Sequence, residues 1–217
     1  MNFETRYLIR WGIPGWVFIL FCSTAYYSIY HKQLMKIDVN IPNLLGLIIS
    51  LGFIGVVLGY LMHQIYFSIN WLFSNQSTKI ILSMLSKIEQ AKKFNITETD
   101  TPHVKYYKME FEWHKQLSLL DEDQRDYISN RYRYLLSTIH GLGALLVSIS
   151  TCIIFIFIIL VGNKMSGIIV ILILILFLLF FIVYKGFSYY SDNLIHFQCY
   201  FFDSMFSKEF VRNKRNE

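Results

Sequence analysis

Four apolar stretches, each free of Asp, Glu, Lys and Arg, alternate with polar segments along the chain. They run from Trp11 to Tyr30, from about Leu44 to Phe73, from about Ser137 to Val161 and from Met165 to Tyr184. About 20 apolar residues at 1.5 Å rise cross roughly 30 Å of hydrocarbon, so each stretch predicts a membrane-spanning helix. The second is too long for one crossing and is expected to project beyond the bilayer. The first is too long for a signal-peptide core, and no small-residue cleavage pattern follows Ala25. Tyr26, Tyr27 and Tyr30 instead suit an aromatic belt at the membrane interface.

The polar segments carry helical patterns of their own. One helix is expected to open at Ser77, as N-cap, and to run through Ile81, Leu85 and Ile88 towards Phe94. Asn95–Pro102 reads as a polar turn. A second amphipathic helix spans about Val104–Leu120, with Val104, Tyr107, Phe111 and Leu117 on its apolar side. Asp121, Glu122 and Asp123 suit a helix N-terminus. No Gly or Pro follows until Gly141, which predicts one continuous helix from about Glu122 to Val161. After Gly186, Phe187, Tyr190, Leu194, Phe197, Phe201 and Met205 recur at steps of three and four, beside a second stripe of Ile195, Cys199, Phe202, Phe206 and Phe210. So wide an apolar sector, with Asp192, His196, Asp203 and Ser207 opposite, lacks the basic face of a membrane-surface helix. It is expected to pack on protein, either this chain's helices or a neighbouring subunit.

Charge fixes the expected orientation. The chain has 20 Lys and Arg residues. Seventeen fall in the N-terminal segment, the middle segment and the tail, and three, Lys32, Lys36 and Lys164, in the two other loops. The excess of positive charge predicts that both termini and the middle segment are cytoplasmic. The expected fold is therefore an all-α membrane protein with four spans, N-in and C-in, and a helical cytoplasmic domain. It is organised as residues 1–73 (N-terminal segment and spans one and two), 74–136 (cytoplasmic helices), 137–186 (spans three and four) and 187–217 (an aromatic cytoplasmic helix). A composition 54% hydrophobic and 16% charged agrees, and the net charge of +5 then reports topology, with no direct binding of nucleic acid expected.

Small residues mark the expected helix-packing sites. Gly52, Gly55 and Gly59 lie on span two, the last two as GxxxG, and Gly141, Ala144, Ser148 and Cys152 form a stripe on span three. Spans two and three are accordingly read as the inner helices, packed within one chain or between subunits. Span four, apolar throughout from Ile168 to Val183, reads as lipid-facing, and span one as intermediate. His63 and His140 are expected near the inner end of the hydrocarbon, facing the bundle interior, where they would line a vestibule or form a pH-sensitive contact.

No catalytic, cofactor or metal site is expected. Cys22, Cys152 and Cys199 form no metal-binding spacing. Glu110 and His114, at i and i+4, offer only two ligands, short of a zinc site. Nucleotide-binding and hydrolase motifs are absent. Arg133 to His140 (RYLLSTIH) resembles the Arg–His signature of HEPN ribonucleases, which implies a membrane-tethered nuclease as one alternative. No proton- or sodium-coupling carboxylate lies in a span, which argues against a coupled carrier and leaves a passive channel or transport component as another.

The four-span arrangement as a whole resembles the small membrane subunits of bacterial antiphage defence systems, such as Kiwa-type proteins and CRISPR-associated accessory membrane proteins. That resemblance implies a non-enzymatic, homo-oligomeric sensor or effector of the bacterial inner membrane. It would couple a cytosolic protein partner, bound through residues 74–136 and 187–217, to the lipid bilayer.

Overall fold

The computed structural model describes residues 5–34, 41–73, 83–88, 94–97, 99–161, 163 and 165–215. Its helices are α1 (Thr5–Leu34), α2 (Ile41–Phe67), a π-helical turn (Ser68–Phe73), α3 (Pro102–Ser118), α4 (Glu122–Leu160) and α5 (Gly167–Arg215), and residues 83–87 are also helical. Among the described residues there is no β-strand. The helices α1, α2, α4 and α5 are long and apolar enough to cross a membrane, and the chain is a multi-pass, all-helical membrane protein. The expected cap Ser77 and the apolar position Ile81 lie outside the described residues.

Two helices are longer than any single crossing requires. The 39 residues of α4 and the 49 of α5 each run without interruption. At Gly186, where the sequence reading separates span four from the tail, the helix continues. A Cβ there would meet only the Leu142 side chain at 3.7 Å, so the glycine creates neither a break nor a tight contact.

The chain divides into two compact units, Met1–Phe67 with Ile139–Ser188, and Ser68–Thr138 with Tyr189–Glu217. The first is a helix bundle whose core joins α1, α4 and α5. Cys22 and Ala25 meet Ile149, Cys152 and Ile156, with Ile169, Leu172 and Leu176 closing the cluster. The most enclosed apolar segments are those of α4 and α1, with 33% and 28% of residues buried, against 17% for both α2 and α5. Within the single chain, span one is therefore more enclosed than span two, which the sequence reading places with span three as the inner pair. Phe53, Ile54, Val57 and Leu61 leave one side of α2 exposed. The physical reason is that α1 has small residues of its own. Gly12, Gly15, Cys22 and Ala25 are all buried, and neighbouring helices approach α1 on more than one face.

On one of those faces α1 meets α2 backbone to backbone. A Cβ on Gly15 would overlap the Gly55 carbonyl oxygen and lie 2.6 Å from the Gly59 nitrogen. A Cβ on Gly59 would overlap the Trp11 carbonyl oxygen. The Trp16 indole donates to the Gly52 carbonyl, 3.0 Å, and Trp11 packs edge-on to Tyr60. On another face the Ser148 hydroxyl of α4 donates to the Pro14 carbonyl at 2.6 Å, fully buried.

The second unit has an aromatic core centred on Trp113 of α3. Its indole lies 4.4 Å from the Phe201 ring, 5.0 Å from Tyr132 and 5.8 Å from Phe202. Met84, Ile88, Phe94, Met109, Leu117, Cys199, Met205 and Phe206 complete it. Both apolar stripes of the tail turn inward, while Asp192, His196 and Ser207 stay exposed; the side chain of Phe210 lies outside the described residues. The apolar face assigned to α3 needs correction. Val104, Tyr107 and Phe111 are exposed, Phe111 at 71%, and the buried face is Met109, Trp113, Gln116 and Leu117. The Trp113 indole, a larger ring than that of Phe111, packs on Phe197, Phe201 and Phe202 of α5, which favours burying that face.

The backbone contact predicts how the glycines differ. Gly59→Ala is expected to lower stability by about 1–3 kcal/mol, because a carbonyl cannot move aside as a side chain can. Gly52→Ala and Gly46→Ala, where a Cβ would meet nothing within 4 Å, are expected to leave it unchanged or slightly raised. Thermal unfolding of the three variants in detergent checks this ordering.

Candidate functional site

Two places concentrate the side chains with chemical potential: the interhelical contacts of the membrane unit, and α3 with its leading turn in the second unit.

In the membrane unit the packing residues occupy distinct positions. Gly55 lies against the Trp16 indole and Gly59 against the Trp11 backbone, while Gly52 contributes only its carbonyl. Ala144 and Ser148 are fully buried on α4. The sequence reading did not single out Gly15, Pro14 or Trp16. The signal present in the sequence was the run of small residues at 12, 15, 22 and 25, which recurs on one side of a helix.

His63 and His140 are both half-buried. The His140 ring lies edge-on to Tyr66, centroids 5.8 Å apart, and Tyr66 is also edge-on to Phe187 at 6.0 Å. Tyr66 fits there because Gly143 has no side chain; a Cβ at that position would overlap its ring. His63 precedes Tyr66 by three residues, about 4.5 Å along α2. Tyr66 therefore joins α2, α4 and α5 at the level of His140.

Two thiols that are 130 residues apart in sequence come together. The Sγ atoms of Cys22 and Cys152 are 3.8 Å apart, both buried and both free. Tyr30 and Asn163 also meet, the Asn163 amide donating to the phenol oxygen at 3.3 Å, and the Ser28 and Ser166 hydroxyls share a hydrogen bond of 3.0 Å.

In the second unit, the turn before α3 is held by one carboxylate. Asp100 accepts from the Thr97 amide at 2.7 Å and from the Lys108 ammonium at 2.7 Å. Lys108 also donates to the Asn95 carbonyl, 2.8 Å, and Asn95 takes the left-handed backbone conformation, φ 49°. Thr101 caps the helix by accepting from the Val104 amide, and Pro102 occupies its first turn. One turn into the unit's core, Gln116 donates to Glu112 at 2.7 Å, and Lys115 reaches the same carboxylate at 3.2 Å.

The remaining candidates stay apart. Arg133 is exposed, and His140 follows it at i+7, about 10 Å along α4. Glu110 and His114 are both exposed on α3. Among the described residues no group of three or more His, Cys, Asp or Glu side chains could hold a metal. No protein-family model, curated protein or solved structure matches the chain.

The Asp100 turn gives a pH signature. Chiefly the Lys108 hydrogen bond, and then the Thr97 amide, hold the Asp100 carboxyl below its ordinary value of 3.8. The folded state thus favours the charged form. The contribution is fully present above the ordinary aspartate range and is lost as pH falls through it towards the lower, folded value. Acid unfolding of the second unit is expected to flatten in Asp100→Asn, measured by near-ultraviolet circular dichroism of the Trp113 cluster. Because the turn is solvent-accessible, the difference is small and is further reduced in high salt.

Proposed function

We propose that the protein is a non-enzymatic, homo-oligomeric sensor or effector of the bacterial inner membrane that couples a cytosolic protein to the bilayer. In this reading both termini and the second unit are cytoplasmic, in keeping with the distribution of Lys and Arg.

The observation that carries the reading is the exposed stripe of Val104, Tyr107 and Phe111 on α3. These side chains recur at steps of three and four on one helix face. They lie outside all four apolar spans, so lipid tails do not account for their exposure. Nor does the stripe suit an anionic bilayer surface. The two lysines on its borders, Lys108 and Lys115, are already held by Asp100 and Glu112 of the same chain. An apolar, aromatic face with neutralised borders suits a protein surface, where aromatic anchors supply much of the binding energy.

The covalent layout supports coupling. Each of α4 and α5 supplies residues to both units with no loop between them. A partner that binds the second unit thus acts on the same helices that cross the membrane. The antiphage membrane subunits that the architecture resembles are expected to work in this manner.

The test is photo-crosslinking in cells from a photoreactive residue at position 107, combined with the mass of the purified particle in detergent. The expected result is a discrete cytosolic protein adduct, lost in Phe111→Asp, on a particle heavier than the 25.8 kDa single chain. Adducts to lipid alone, or a monomeric particle, would contradict the proposal. Dye release from liposomes by the protein alone would favour a passive channel instead.

A further inference from the structure

We propose that Cys22 and Cys152 form an intramembrane redox pair that yields hydrogen atoms to a lipid-soluble radical oxidant and closes into a disulfide linking α1 to α4.

Position is the first support. Cys22 lies eleven residues beyond Trp11, about 16 Å along α1 and so near the middle of an apolar core of about 30 Å. Cys152 is fully buried and Cys22 is 7% exposed. Their neighbours are Ala25, Ile149, Ile156, Ile169, Leu172 and Leu176, all apolar. No Lys or Arg lies in either span.

Geometry is the second. The sulfurs are 3.8 Å apart across two different helices. A disulfide bond is about 2.05 Å long, so closure requires the sulfurs to approach by less than about 2 Å. Cys152 also lies 3.8 Å from the Phe18 carbonyl of α1, and the Ser148 bond to Pro14 ties the same two helices one turn away. Both sulfurs are thus held close to each other by contacts between the same two helices.

Those surroundings select the chemistry. Ordinary thiol–disulfide exchange proceeds through a thiolate, and an unpaired anion is costly in an apolar layer. Transfer of a whole hydrogen atom separates no charge. Each thiol gives one hydrogen atom, proton and electron together, to a lipid peroxyl radical, which becomes a hydroperoxide. Both S–H bonds break, and the two unpaired sulfur electrons form one S–S bond. Two peroxyl radicals are reduced and two thiols are oxidised, so atoms and electrons balance. Cys199 provides an internal control, since it is buried in the other unit with the Met84 carbonyl, and no sulfur, as its hydrogen-bond partner.

The experiment uses the full chain in lipid nanodiscs, with a lipid-soluble azo initiator that generates peroxyl radicals inside the bilayer. After denaturation and alkylation, peptide mapping is expected to find a Cys22–Cys152 linked pair and an alkylated Cys199. Oxidised glutathione in the aqueous phase is expected to form no such link. In Cys22→Ser, or in Cys22→Ala should the first fail to fold, the link is expected to vanish. The proposal is overturned if both thiols remain alkylatable at a dose that consumes a lipid-soluble thiol in the same discs. It is equally overturned if they reach higher oxidation states without pairing, or if aqueous glutathione disulfide forms the link as readily.

Discussion

Everything in the membrane unit depends on how closely α1 can be approached. Between spans there is little hydrophobic driving force, because lipid tails are as apolar as leucine, so association rests on backbone proximity and buried polar contacts. Gly15, Gly55 and Gly59 supply the first, and the Ser148 bond to Pro14 supplies the second. Pro14 lies inside α1 and gives no N–H to the preceding turn, yet the helix persists from Thr5 to Leu34. Since α2 and α4 both contact the same short region of α1, a shift of residues 14–16 disturbs two interfaces at once.

The second unit obeys a different rule. Its core is built largely from Phe, Trp, Tyr and Met side chains around Trp113, where tilted and edge-on ring packing contributes to stability. Its buried polar groups, Glu112 and Gln116, satisfy part of their hydrogen bonding with each other. Both α4 and α5 supply residues to the two units without a glycine or proline break that stops the helix. This continuity would make the proposed coupling role physically economical, because no additional connector would be needed between the α3 face and the apolar helices.

The spans were legible because an uncharged apolar run of such length has few places to lie except a bilayer, and α4 was legible because nothing between Asp121 and Gly141 interrupts a helix. Other features were not. The residues of α3 carry two apolar stripes that share Leu117, one through Tyr107 and Phe111 and one through Met109 and Trp113. Choosing between them requires knowing that Phe201 and Phe202 will lie opposite. Likewise, the glycines of α2 announce a close approach without naming the helix approached, and Gly15 becomes important only once α1 is placed beside them. The contact between Cys22 and Cys152 spans 130 residues and has no local signature. For the candidate sites, sequence could nominate His63 and His140 by depth, but the Tyr66 ring, admitted by Gly143, is a tertiary fact.

The most direct test of the central role of α1 is a double-mutant cycle between Gly15 and Gly59, read as unfolding free energies of Gly15→Ala, Gly59→Ala and the double variant in detergent. If α1 fills the glycine face of α2 within one chain, either methyl group separates the same two backbones. The double variant then costs clearly less than the two single costs combined, with a coupling of about 0.5–3 kcal/mol. Strictly additive effects, or single substitutions without cost, would contradict that role.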